Sequence, residues 1–288
     1  MSRIFEALQR SEFERSGTRF PQSSGLATEL LQAAESDTNP SEPFQSQSVH
    51  VNVPSHSRLV SFTDKASLGA EKFRFLGVRL RQIQQARPLK NLLITSTIPE
   101  EGKSMVSANL AITLARKHQL KVLLLEGDLR RPVLAQQFGL ELVQGLSEWL
   151  QSDSRAVPTI FRLDRLGFWF LPAGHPPDNP LELMQLGRLA ELMEQLTAWF
   201  DWVILDSPPV LPLADTSVWM RLADGVLLVA REGKTEKREL QRGLEVLDQS
   251  KLLGVVWNSC SSTDHKNYYQ RYGPVLTHPQ GEPRPEGQ

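Results

Sequence analysis

Leu92-Leu93-Ile94-Thr95-Ser96 runs straight into Thr97-Ile98-Pro99-Glu100-Glu101-Gly102-Lys103-Ser104, and a helical pattern follows over 104–117. No other stretch restricts the possible folds as much. A continuous apolar run before the loop predicts a buried strand, and the periodic run after it predicts a helix whose N-terminus points back at the strand end. Backbone N–H groups at such a junction attract phosphate oxygens. Lys103 is placed to neutralise the terminal phosphates of a nucleotide, and the Ser104 hydroxyl to hold Mg²⁺. Glu101, Gly102 and Met105 complete the segment that would wrap the phosphate chain. Glu100 and Glu101 stand where small residues are usual. Glutamate adopts positive φ less cheaply than glycine, and a carboxylate here repels a triphosphate unless it points to solvent.

The rest of the chain supplies the matching architecture. Further strands are expected at 121–126, 167–171, 202–205, 225–229 and 254–257, most of them apolar throughout, as strands covered on both faces should be. Helical patterns such as 187–199 and 236–249 lie between them. This alternation predicts an α/β fold, a doubly wound and mostly parallel sheet with helices on both faces, whose ligand site lies at the carboxyl ends of the strands. Around this 67–260 domain the texture changes. Residues 1–16 read as a short amphipathic helix with Ile4, Phe5 and Leu8 on one side, and they lack the apolar stretch of a signal peptide. Residues 17–66 are rich in Ser, Pro, Gln and Asn and read as a disordered linker. Residues 261–288 read as a flexible tail, with four prolines after 273.

Composition closes several other routes. Lys and Arg total 32 against 33 Asp and Glu, which argues against nonspecific nucleic-acid binding. One cysteine, Cys260, excludes an internal disulfide framework and a cysteine-based zinc site. No apolar run approaches the ~18 residues of a membrane span.

Acidic residues stand at two other predicted strand ends. Trp202-Val203-Ile204-Leu205 ends in Asp206, the position of a Mg²⁺-anchoring aspartate, and Ser207-Pro208-Pro209 then stops the strand. Val122-Leu123-Leu124-Leu125 ends in Glu126-Gly127-Asp128-Leu129-Arg130. With Glu126 and Asp128 two residues apart, both carboxylates could face the phosphate loop, with Arg130 close behind.

Taken in this order, Gly102-Lys103-Ser104, the acidic pair with Arg130, and the run ending in Asp206-Ser207-Pro208-Pro209 resemble the bacterial tyrosine kinases of capsule and exopolysaccharide synthesis. The resemblance extends over about 70–273 and includes the loop Pro172–Leu183 and the strand end Gly254-Val255-Val256-Trp257-Asn258. It implies ATP and Mg²⁺ as cofactors, Ser104, Asp128 and Asp206 at the metal, and Lys103 as the phosphate-binding lysine. It also implies Glu126 as proton acceptor and Asn258 against the adenine. Glu126 stands where the family usually has Asp. Glu71-Lys72-Phe73-Arg74 resembles the helix through which family members form homo-oligomers, with Gly77 in place of its last arginine. A membrane-embedded polysaccharide co-polymerase or activator protein, and a cytoplasmic position at the inner face of the membrane, follow from the resemblance alone.

The chain has only three tyrosines, Tyr268, Tyr269 and Tyr272, within five residues of one another. As phosphoacceptors they would report on a kinase acting on its own tail, which could enter its own site or a neighbour's; the resemblance implies a neighbour's, in trans. Tyr268 lies ten residues beyond Asn258, a reach of at most ~35 Å. Phosphorylation adds about −1.5 to −2 charges to each, so modified tyrosines would repel one another and an acidic site, releasing an assembly. The alternative is a nucleotide-switched ATPase of the partitioning or division-site class. Those proteins carry an extra lysine early in the loop, where this chain has Ile98.

Overall fold

The computed structural model describes residues 44–260 apart from 45, 52, 55, 56, 117–119, 141, 142, 155 and 186. The expected helix at 1–16, most of the linker and the tyrosine-bearing tail lie outside the described residues.

Among the described residues, eight strands form one sheet: β1 (Ser46–Val49), β2 (Asn91–Ser96), β3 (Val122–Glu126), β4 (Ile160–Leu163), β5 (Phe168–Leu171), β6 (Trp202–Asp206), β7 (Gly225–Arg231) and β8 (Leu252–Asn258). Their order is β1-β4-β5-β3-β6-β2-β7-β8, parallel throughout except for the β4–β5 pair. The helices are α1 (Val60–Thr63), α2 (Leu68–Ala86), α3 (Lys103–Ala115), α4 (Leu134–Gln137), α5 (Leu146–Gln151), α6 (Pro180–Gln185), α7 (Arg188–Trp199), α8 (Asp215–Leu222) and α9 (Lys237–Val246). None of them is long and apolar enough to cross a membrane.

Every residue of β2, β3 and β6 is buried, which accounts for their unbroken apolar sequences. Alternate side chains feed two cores. Leu92 and Ile94 join Val106 and Leu110 of α3 on one face of the sheet, while Leu93 joins Leu192 and Leu196 of α7 on the other. The topology places β6 between β2 and β3, so the carboxyl ends carrying the phosphate loop, Asp206 and Glu126 are direct neighbours. In register, Asp206 faces Ile94 on one side and Glu126 on the other.

The structure corrects the linker reading at its distal end. Phe44 is buried between Trp199 and Phe200, with ring centroids 5.2 and 5.1 Å away, and Val51 and Leu59 are also buried. Asn109, buried on α3, completes the attachment: its Oδ1 accepts the Ser61 N–H at 2.9 Å and its Nδ2 donates to the Arg58 carbonyl at 3.1 Å. A few deep anchors thus hold a polar segment that has no periodicity of its own. In α2, Gly77 is buried, and an added Cβ would meet Thr113 at 3.4 Å and Leu114 at 3.5 Å. The missing arginine of the self-association motif therefore stands at a helix-packing position. Glu71 and Arg74 pair with each other within α2.

Candidate active site

The phosphate loop leaves β2 at Ser96 and enters α3 at Lys103 through Gly102, whose φ of +95° favours glycine. Glu100 also has positive φ, +66°, despite its Cβ. Its surroundings hold it there: Lys234 bonds its carboxylate, and Arg231 donates to its carbonyl at 3.2 Å. Lys234, by hydrogen bond and by charge, lowers the Glu100 carboxyl below the ordinary value. Glu101 turns inward and not to solvent. Its carboxylate accepts the Ile98 N–H at 2.8 Å and bonds the Thr235 hydroxyl, with no exposed surface. Glu101 does not face a ligand, and Glu100, at the cavity wall, is paired with Lys234; each ties the loop to the segment after β7. Asn258 does the same, donating from Nδ2 to the Glu101 carbonyl at 2.9 Å and accepting the Ser259 N–H at 2.9 Å. The amide expected against adenine therefore lies beside the phosphate loop.

The acidic pair divides. Asp128 lies 3.1 Å from the Lys103 ammonium and accepts the Arg131 N–H at 3.1 Å. Glu126 faces away. Its carboxylate, fully enclosed, accepts N–H bonds from Val133 at 2.7 Å, Leu134 at 2.5 Å and Ala173 at 3.2 Å. Burial raises its pKa against the pull of those amides. Between the two acids, Gly127 lies under Trp219, whose indole N–H donates to the Gly127 carbonyl at 3.0 Å. A Cβ there would come within 2.7 Å of the indole and 2.9 Å of the Asp206 carbonyl.

Asp206 sits behind the loop. Its Oδ1 accepts the Ser107 hydroxyl at 3.2 Å, and its buried Oδ2 lacks a hydrogen bond. Burial pushes this carboxyl up to about 7, with the Lys103 charge and the Ser104 hydroxyl pulling the other way. Burial also disfavours the charge on Lys103, but Asp206, Asp128 and Glu126 together hold its pKa above the lysine norm. An orphaned carboxylate oxygen, the Ser104 hydroxyl and Asp128 form an all-oxygen donor set, which fits Mg²⁺. Among the described residues no three His, Cys, Asp or Glu make a metal cage, so phosphate and water would complete such a site.

Outside the loop opens a cavity of about 650 Å³, lined by Gly102, Lys103, Ser104, Met105, Asp128 and Arg130 among others. Arg130 leans on the cavity wall through a two-bond pair with Asp215, at 2.6 and 3.2 Å. Sequence reasoning missed Asp215, Arg58 and the loop-tying Lys234 and Thr235. Only Asp215 left a signal, an acid opening a helix soon after Ser207-Pro208-Pro209.

The chain is 35% identical over 212 residues to the tyrosine-protein kinase YwqD of Bacillus subtilis, a match spanning 73% of this chain and 89% of that one. The kinase domain of Escherichia coli tyrosine kinase ETK superposes with a TM-score of 0.66 at 30% identity, over 74% of this chain and 84% of that domain. The chimerical protein CapA2B2 superposes with a TM-score of 0.66 at 29% identity, over 75% and 93%. No protein-family model matches the chain.

Proposed function

This chain belongs to the bacterial tyrosine-protein kinase family, and from that membership we propose that it transfers the γ-phosphoryl group of ATP to tyrosines of its own tail, Tyr268, Tyr269 and Tyr272. The observation that carries the reading is Lys103 held 3.1 Å from Asp128 at the wall of the phosphate-loop cavity. Transfer to a phenol of pKa about 10 needs a proton acceptor at the cavity.

The loop amides and Lys103 bind the phosphate chain, and Gly102 lets the backbone approach it closely. Mg²⁺, when bound by Ser104 and Asp206, would supply positive charge to the phosphate oxygens, which keeps Asp128 for the proton. The tyrosine Oη forms the new O–P bond as the bond from phosphorus to the β–γ bridging oxygen breaks, and ADP leaves with that electron pair. The phenolic proton passes to Asp128. The sequence reading assigned it to Glu126, but that carboxylate is committed to three backbone amides and does not line the cavity. A role in capsule or exopolysaccharide production, homo-oligomers, a membrane-embedded activator and a place at the inner face of the membrane belong to the same proposal and rest on the family resemblance.

Incubation with Mg·ATP followed by mass-spectrometric mapping tests the reading. Phosphate is expected on Tyr268, Tyr269 and Tyr272, and none with Lys103→Met. ATP hydrolysis without modified tyrosine would replace it with the nucleotide-switched ATPase.

A further inference from the structure

The cavity wall carries five cations, Arg58, Lys103, Arg130, Arg131 and Arg231, against two carboxylates, Glu100 and Asp128. Three of the five are engaged: Lys103 with Asp128, Arg130 with Asp215, and Arg231 with the Glu100 carbonyl. Glu100 feels the charge of Arg131, but its carboxylate is bonded to Lys234. Among the described residues, Arg58 and Arg131 form no ion pair. Both are nevertheless held in place by their backbones. Arg58 precedes the fully buried Leu59 and has its carbonyl bonded to Asn109. Arg131 donates its backbone N–H to Asp128 itself, so the residue is anchored beside the proposed base while its side chain is exposed.

The tail has the opposite need. Residues 264–272, Asp-His-Lys-Asn-Tyr-Tyr-Gln-Arg-Tyr, carry two cations and one carboxylate, so an unmodified cluster meets a rim of its own sign. One phosphotyrosine adds about −1.5 to −2 charges and three acceptor oxygens suited to arginine. The other two tyrosines then lie one to four residues away, ~3.5 to ~14 Å along an extended chain.

We propose that Arg58 and Arg131 select a tyrosine whose close neighbour is already phosphorylated, so that the first transfer is slow and the cluster then fills in quick succession. This deepens the kinase reading and rests on it. Around the acids at the strand ends the cavity rim is basic, and it is this rim that would attract a modified tail.

The test uses the full chain with Tyr268, Tyr269 and Tyr272→Phe, saturating Mg·ATP, and synthetic peptides of residues 264–276 that are unmodified or phosphorylated at Tyr269 or Tyr272. The primed peptides should show kcat/KM higher by about tenfold, as an added arginine–phosphate pair would give, and the ratio should narrow at high salt. Arg58→Ala with Arg131→Ala should bring the ratio to about one, while Arg→Lys at both keeps part of it. A wild-type ratio near one overturns the proposal. So does an unchanged ratio in the double alanine variant, including the case where its ATP binding weakens, because the arginines would then serve the nucleotide. If the chain phosphorylates neither peptide, the kinase reading is still decided by the mapping of Tyr268, Tyr269 and Tyr272 in the unsubstituted chain. Fluorescence anisotropy of labelled peptides then decides the arginines: tighter primed binding lost in the double variant supports them, and equal binding overturns them.

Discussion

The loop that carries Asp128 is tied to α8 by a half-buried ion pair, and cutting it should expose how much the site depends on that tie. Asp215 is 2% exposed and accepts from Arg130 Nε at 2.6 Å and Nη2 at 3.2 Å. Removing one partner of a buried pair costs about 3–5 kcal/mol, because the other charge is left without compensation. Two features place Arg130→Ala at the low end, about 3 kcal/mol: the Arg130 side chain is 37% exposed, so water can follow, and Asp215 opens α8, where the helix dipole favours an acid. Asp215→Ala frees an arginine that can turn to solvent, for about 2 kcal/mol. The double variant should lose about 3 kcal/mol and not the additive 5, a coupling of about 2 kcal/mol. Urea unfolding of the four proteins at neutral pH without nucleotide measures this. Phosphotyrosine formation should fall in both single variants, as Asp128 loses its support. Additivity within about 0.5 kcal/mol would refute the reasoning and leave Arg130 free for ligand.

Gly127→Ala should cost about 2–3 kcal/mol, since its Cβ meets Trp219 at 2.7 Å, and should slow tyrosine phosphorylation by displacing Asp128; a melting temperature within about 1 °C of wild type would contradict the close contact. Phe44→Ala should cost about 3 kcal/mol, read first as lost amide-exchange protection at 46–49, and unchanged protection there would separate β1 from the Phe44 anchor. Glu148 is pushed up by burial but drawn further down by the N–H groups of Gly145 and His175 and by the His175 ring, so its net pKa lies below the ordinary 4.5. Its contribution to stability is complete above that value and is lost as pH falls through the lowered one. Glu148→Gln should therefore flatten the acid limb of a melting-temperature profile; parallel profiles would show that the cap does not titrate in this range.

What was legible in the sequence follows from what is buried twice. β2, β3 and β6 lie inside the sheet under helices on both faces, so each reads as an apolar word, and the phosphate loop and Asp206 are placed by counting from its end. β1, Ser-Gln-Ser-Val, is an edge strand with two exposed residues, and its stability comes from Phe44, Val51 and Leu59 beyond its own ends. Local pattern cannot show a strand whose anchors are elsewhere. β4 was lost for a related reason: four residues, Ile-Phe-Arg-Leu, in a tight antiparallel hairpin, are too few to display a period.

The acidic pair shows the limit inside the site. Alternation by two puts residues 126 and 128 on one face only while the chain remains extended, and β3 ends at Glu126. At Gly127 the backbone passes under Trp219 and bonds the Asp206 carbonyl through its N–H at 2.7 Å. The chain turns there, and the two carboxylates part. Glu126 goes inward to hold the loop at α4 and at Ala173, and Asp128 goes outward to Lys103. A glycine that makes room for an indole ring thereby sets which of the two carboxylates meets Lys103.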